Sequence, residues 1–325
     1  MNSKEIIFAN FEHRGKVRPG LNFENGRLDD LVLAFPAMPE GYTPRRWTEL
    51  PYEYYDDVWG NVWHRTLDGS VAGEIFQPAI SNWEKFIDYQ TPNYNFDECV
   101  KHFRKALDNN EAKFKIAVMP GWIFATCRYL RKMEVYLMDM LLYPEELTKL
   151  HNHVATVYEL FIRAAAKAGA HAIFFCEDMG SQKGLLFSPA LWNQYFAELY
   201  AKLFSLAHDL NLKVIMHSCG KNSEILEPLL KAGVDCFQFD QPTLYDMGQL
   251  SALLRRYKAA IWSPIDIQKI LPTGNTEIIA NGVKDMLSNF GGFIIFKQYP
   301  DLKGIGVDEA WDNYAYNQII NNIRL

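Results

Sequence analysis

His217 and Cys219 stand two residues apart in the run Val214-Ile-Met-His-Ser-Cys-Gly220. If the backbone there is extended, both side chains project to one face. Imidazole nitrogen and thiolate sulfur are both good zinc ligands. The plainer alternative is a hydrogen-bonded histidine beside a buried thiol. Gly220 follows at once, and a helical stretch begins close behind it, whose amino end favours a thiolate. A zinc site needs at least a third protein ligand, and a neighbouring strand end is the natural source: Asp240 is the candidate on the next strand, with Cys176 and Glu177 as alternatives. Cys236 lies at the opposite end of the strand from Asp240 and is set aside. The adjacent carboxylates Glu177 and Asp178 must point to different sides, so only one can face a common site. A carboxylate so placed can anchor a substrate, or act as general acid or base if burial raises its pKa. Gln182 and Gln241 are candidate hydrogen-bond donors to a substrate oxygen, or partners for loop backbone.

Those residues need elements to hold them. From about residue 97 the chain alternates helical runs with short apolar segments, the pattern of a parallel sheet covered by helices. Strands are predicted at 115–119, 170–175, 213–217, 235–239, 260–264 and 292–296, and helices at 144–167, 188–210, 223–231, 245–257 and 276–290. Ser188-Pro189 reads as a cap followed by proline at the first helical position, and Gly169 and Gly233 close helices just before strands. Six strands, with one or two from the amino-terminal part, approach the eight of a (β/α)8 TIM barrel, an α/β fold. No glycine-rich phosphate loop follows any strand, which disfavours an open dinucleotide-binding sheet. Barrel enzymes carry their chemistry at the carboxyl ends of the strands. Here those ends are polar in register: Glu177-Asp178 with Gln182, His217-Ser218-Cys219, Asp240-Gln241, Asp266 with Gln268, and Gln298-Tyr299 with Asp301.

Residues 1–95 are read as an irregular, β-rich amino-terminal segment of the same domain, and residues 96–325 as the barrel proper. Pro36, Pro39, Pro44 and Pro51 break helices in the first segment, and Gly60-Asn61 between Val58-Trp59 and Val62-Trp63 marks a hairpin. Its aromatic residues, Trp59 and Trp63 among them, are ordinary packing or the apolar wall of a substrate site.

Composition narrows the partners. A formal charge of −6, from 33 basic and 39 acidic residues without long runs of either sign, offers no footprint for nucleic acid or an anionic membrane. Five scattered cysteines argue for a reducing compartment rather than a disulfide framework. The first ten residues carry no leader pattern and no stretch has the length of a membrane span, so a cytoplasmic location is expected.

The segments Val214–Gly220, 229–235 and 238–242, together with Glu177-Asp-Met-Gly-Ser-Gln182, Leu186-Phe-Ser-Pro-Ala-Leu-Trp192 and Pro264-Ile-Asp-Ile-Gln268, resemble the uroporphyrinogen decarboxylase superfamily, in particular its corrinoid-dependent methyltransferase branch. The similarity runs from about Tyr54 to the carboxyl terminus. It implies a barrel with its site at the strand ends and zinc on His217 and Cys219. In zinc methyltransferases of that branch a second cysteine follows the last barrel strand, whereas this chain reads Phe296-Lys-Gln-Tyr-Pro-Asp301 there. Asp240 matches a carboxylate ligand of the related cobalamin-independent methionine synthases, and is the preferred third ligand on that ground. The arginine-rich amino-terminal motif of true uroporphyrinogen decarboxylases survives only as Arg18-Pro19, and their Gly-His-Gly near the last strand has no counterpart.

The expectation is therefore a zinc-dependent methyltransferase that moves a methyl group between a small methylated compound, an aryl methyl ether being the first choice, and a corrinoid (cobalamin) carried by a partner protein. His217, Cys219 and Asp240 are the expected metal ligands. Asp178 and Gln182 are the expected catalytic groups, and Glu177, Gln241, Trp59, Trp63 and Tyr299 the expected substrate contacts. A second copy of the chain, in a homodimer, is a further expected partner. The competing readings are a metal-independent decarboxylase or lyase using Asp178 or Asp240, and a non-catalytic binding protein on a barrel scaffold.

Overall fold

The computed structural model describes residues 1–15, 17–67 and 73–323. Its strands, in chain order, are β1 Gly20–Asn22, β2 Leu31–Ala34, β3 Arg46–Glu49, β4 Tyr52–Asp56, β5 Val62–Thr66, β6 Glu74–Gln77, β7 Phe114–Val118, β8 Ala172–Cys176, β9 Lys213–His217, β10 Cys236–Gln238, β11 Ala260–Ser263 and β12 Ile294–Lys297. Eight of them form one sheet in the order β1-β12-β11-β10-β9-β8-β7-β2, with every recorded pairing parallel. This is a nearly closed α/β barrel of the TIM type. The six strands expected after residue 97 are present with ends shifted by at most two residues, and β1 and β2 complete the eight. The remaining seam lies between β1 and β2. There the Asp30 N–H donates to the Leu21 carbonyl at 2.7 Å, and the Leu21 N–H donates to Asp30 Oδ2 at 2.8 Å. Arg18 grips the same carboxylate with both guanidinium arms, at 2.7 and 2.8 Å. Arg18 thus serves the seam at the amino-terminal end of the strands, opposite the polar ends.

Alternation along parallel strands divides the core in two. One face packs under the outer helices. The other fills the barrel with Leu31, Phe114, Ile116, Ala172, Ile215, Cys236, Ala260, Trp262 and Ile295. Ile7 and Phe11 join that inner cluster from the helix Ser3–Phe11, which closes the amino-terminal end of the barrel. The helix begins with a capping box between Asn2 and Glu5. Its close approach requires Gly20, because a Cβ there would lie 2.4 Å from Ile7 Cδ1 and 2.9 Å from Ile295 Cγ1.

The amino-terminal part departs from a wholly irregular reading. Besides the helix Ser3–Phe11 it supplies β1 and β2 to the barrel and a separate antiparallel sheet, β3-β4-β5-β6. The hairpin β4–β5 does not turn on Gly60-Asn61 alone: Val58 and Trp59 lie outside any strand, in a five-residue loop over residues 57–61. Asp57 organises that loop by accepting from the backbone of Trp59 and Asn61, the Asn61 amide and the Trp63 indole. A side chain that draws donors to itself competes with a tight two-residue turn. The helix expected over 188–210 is interrupted: Pro189–Trp192 and Glu198–Asp209 flank one π-helical turn, Asn193–Ala197. Among the described residues no helix is long and apolar enough to cross a membrane.

Candidate active site at the barrel mouth

The inner face of the strands changes character toward their carboxyl ends. One step beyond Phe174, Ile215, Cys236 and Ile295 come Cys176, His217, Gln238 and Lys297. Asp178, Cys219, Asp240 and Tyr299 follow in the loops.

Two loops supply the central cluster. His217 ends β9, and its Nδ1 is 2.5 Å from Gln238 Oε1. An amide oxygen can only accept, so Nδ1 is the donor in this contact and Nε2 is the nitrogen turned toward the mouth. Gln238 in turn donates from Nε2 to Asp240 Oδ1 at 2.7 Å, which sets the amide's orientation. Nε2 of His217 faces Cys219 Sγ at 3.3 Å and Asp178 Oδ1 at 3.5 Å. The potential ligand atoms of Asp178, His217 and Cys219 all lie within 4.8 Å of one another. Ligands about 2.0–2.3 Å from a tetrahedral zinc are separated by ~3.3–3.8 Å, so the trio needs little adjustment to hold one.

The approach of the two loops depends on paired glycines. A Cβ on Gly220, which has φ +78°, would lie 2.4 Å from the Gly180 carbonyl oxygen. One on Gly180 would lie 2.8 Å from the Lys221 carbonyl oxygen. With no side chains between them, the Lys221 N–H reaches the Ser181 carbonyl at 2.8 Å and the Cys219 N–H donates to Asp178 Oδ1 at 2.7 Å. Asn222 and Ser218 fasten the turn from below: Asn222 Nδ2 donates to Ser218 Oγ, which donates to the Glu177 carbonyl at 2.6 Å.

Electrostatics favour a cation at this point. Burial, then the nearby carboxylates of Asp178 and Asp240, push the Cys219 thiol up to about 12. The enclosing wall likewise pushes Cys176 up to about 12, although that residue remains accessible from the mouth. A thiol so disfavoured as an anion becomes a thiolate only when positive charge is brought beside it. The donor set and its charge therefore fit a divalent metal.

The other expected site residues separate into groups. Asp240 is buried and already accepts from Gln238, and Lys297 Nζ lies 3.4 Å from the same oxygen. It is not one of the three that cluster. Gln182 and Gln241 meet each other, the Gln182 amide donating to Gln241 Oε1 at 2.9 Å. Tyr299 is half-buried and lines a cleft of ≈ 400 Å³ with Glu24, Arg27, Gln298 and Asp312, and burial, then the charges of Asp240 and Cys219, raise its phenol. Trp59 and Trp63 line a cleft of ≈ 320 Å³ between the antiparallel sheet and the loop after β7, with Tyr55, Gly121 and Tyr129. Arg128 links this cleft to the cluster: it donates to the Tyr129 hydroxyl and lies 3.5 Å from the Asp178 carbonyl.

Glu177 takes the other side of the wall from Asp178. It is fully buried, accepting from the Phe124 and Ala125 N–H groups at 2.9 and 3.0 Å and from the Tyr200 hydroxyl at 2.8 Å. Those amides open the helix Ile123–Arg131, whose own N-cap, Trp122, offers no side-chain bond. Glu177 is thus an external cap that ties β8 to that helix rather than a group open to the mouth. Burial pushes its carboxyl up to about 8 against the pull of its donors.

Three participants escaped the sequence reading: Gln238, Lys297 and Arg128. The first two were detectable by counting inward positions, since 236-238-240 and 295-297 continue the inner face. Arg128 carries no such signal, because only the packing of its helix brings it near Asp178.

Comparison with known proteins fits this arrangement. The family model of uroporphyrinogen decarboxylase (URO-D) matches residues 73–296, more than half of the chain and every strand of the central cluster. The chain belongs to this family. A curated relative of this URO-D member, the methylated-thiol–coenzyme M methyltransferase of Methanosarcina mazei, is 24% identical over 122 residues, or 38% of this chain. The match spans 31% of that relative, about a third of its length. A solved methyltransferase from Methanosarcina mazei superposes with a TM-score of 0.59, covering 80% of this chain and 77% of that one at 13% identity, a likeness of fold.

Proposed function

We propose that this URO-D family member is a zinc-dependent methyltransferase, transferring a methyl group between a small methylated compound and a corrinoid carried by a partner protein. The observation that carries the reading is the convergence of Asp178, His217 and Cys219 at the mouth of the barrel. The methyltransferase names of the two relatives support the reaction class. His217 and Cys219 would hold the ion with Asp178 as third donor, because its carboxylate lies within 4.8 Å of both their ligand atoms and Asp240 is not part of that cluster. A bound zinc ion supplies Lewis acidity at the heteroatom that the methyl group leaves.

The chain's own residues account for the rest. A methyl group departs without its bonding electrons, so the heteroatom it leaves keeps the pair and gains negative charge. Gln238 fixes the His217 ring with Nε2 toward the mouth, so no reorganisation is needed as that charge develops. The Gln182–Gln241 pair and Tyr299 offer polar contacts at the rim. The aromatic cleft of Trp59 and Trp63 offers an apolar wall, which favours an aryl methyl ether as donor. One carboxylate and one thiolate make a harder site than two thiolates, and harder sites suit oxygen.

The test combines metal analysis with a donor panel. Wild-type protein is expected to bind one zinc ion per chain. Cys219→Ala and Asp178→Asn should each lose it, and Asp240→Asn should retain it. Aryl methyl ethers, methylamines and methyl thiols are then offered with cob(I)alamin, whose absorbance reports methylation. Equal zinc in wild type and Cys219→Ala overturns the metal site. Turnover without any methyl transfer to cob(I)alamin would instead favour a lyase of the decarboxylase type.

A further inference from the structure

Lys297 is a cation inside the barrel whose one recorded ion-pair contact among the described residues, to Asp240, leaves most of its donors without a role in the site described above. It ends β12 one inward step beyond Ile295, and its side chain is 13% exposed. An ammonium has three N–H donors. Among the described residues its recorded acceptor is Asp240 Oδ1, at a long 3.4 Å, and that oxygen already takes the shorter bond from Gln238. Below the ammonium lies the ring of Trp262, 5.5 Å from the charge to the centroid. A mostly buried cation with donors to spare is costly unless something completes its shell.

We infer that Lys297 is the anchor for a single carboxylate on the substrate, so that the compound this protein recognises is a methylated acid. The inference rests on the reading of the mouth as a site for a small methylated compound. It adds an orientation: the acid end meets β12, and the methyl-bearing end points across to the loops after β8 and β9. A monoanion is favoured over a dianion here, because the carboxylates of Asp178 and Asp240 nearby repel a second negative charge on the ligand more than a first.

The experiment uses two acid and amide pairs, 4-methoxybenzoate with 4-methoxybenzamide, and 3-(methylsulfanyl)propanoate with its amide. Binding to the full-length protein is measured by calorimetry, with zinc supplied and after chelation. In at least one pair the acid should bind wild type about tenfold or more tighter than the amide, the worth of one charge-assisted hydrogen bond. Lys297→Met should bring the acid down to the level of its amide, and Lys297→Arg should keep a preference. The double variant Lys297→Met/Asp240→Asn, which strands no buried charge, should behave as Lys297→Met and guards against misfolding of the single variant. No acid preference in either pair overturns the inference. So does a preference that survives Lys297→Met, or one that needs zinc and not Lys297, which would place the acid on the metal. Binding that depends on Lys297 without methyl transfer from any donor would overturn the proposed reaction and leave the anchor standing. Methyl transfer with no acid preference would do the reverse.

Discussion

The barrel interior holds two regions built on the same strands. The lower one, from Ile7 and Phe11 through Phe114, Ile116, Ile215 and Ile295, is a buried apolar plug. The upper one, one inward step further along, is His217, Gln238, Lys297 and Cys176, with Asp178, Cys219 and Asp240 above. Close-packed hydrocarbon below gives the upper groups a floor that cannot relax around them, and their bonds hold them in fixed directions. The contrast shows how one strand can serve stability and chemistry at positions two residues apart.

The sharpest way to break the lower region is Phe114→Ala. It removes a fully buried ring at the base of the barrel and should cost about 3–5 kcal/mol in urea unfolding. Zinc per folded chain should stay at the wild-type value. Loss of zinc in the folded fraction would show that the two regions are not separable.

Glu177→Gln probes the wall between them. Its amide nitrogen would face one of the Phe124 and Ala125 N–H groups, leaving a donor unpaired at a cost of about 1–3 kcal/mol. The pH dependence carries a sign. The carboxyl rises from 4.5 to about 8 on folding, so the folded state holds a proton that the unfolded chain has lost between those values. The stability this contributes is complete below pH 4.5 and disappears as pH rises through 8. Unfolding free energies at several pH values should therefore fall over that window in wild type and fall less in Glu177→Gln. Equal slopes would mean that the donors hold Glu177 ionised.

Gln238→Leu tests the support beneath the proposed metal site. With nothing to accept from Nδ1, the His217 ring loses its fixed tautomer, and zinc affinity should drop about 10–100-fold by competition with a chelating dye. An unchanged affinity would assign Gln238 to packing alone. The smallest effect is expected from Cys236→Ala, which trims a buried thiol of the lower region. Zinc should be untouched and stability lowered by about 1 kcal/mol.

Much of the frame was legible from one-dimensional signals. The alternation of helical runs with short apolar segments places β9 at its observed residues, and the proline after Ser188 marks a helix start that the structure shows capped by the Ser188 hydroxyl. These are local effects: period, cap and turn chemistry act over a few residues. The docking of the short helix Ser3–Phe11 and the loop over residues 57–61 were not legible. Asn2 and Glu5 stand at capping-box spacing for the helix start, but its seat at the base of the barrel depends on Gly20 letting Ile7 in, and the loop on Asp57 gathering donors from residues on both sides of a hairpin.

The sequence by itself determined that His217 and Cys219 share a face at a strand end, because a period of two is a property of the extended backbone. It also determined that Glu177 and Asp178 diverge. Only the tertiary structure decided which of the pair turns inward, and that Asp178 rather than Asp240 closes on His217 and Cys219. That choice depends on Gly180 and Gly220 allowing two loops, forty residues apart in the chain, to touch backbone to backbone, and on Lys297 arriving from β12 to engage Asp240. Contacts between distant segments follow from barrel closure and side-chain volume, and no short-range pattern encodes them.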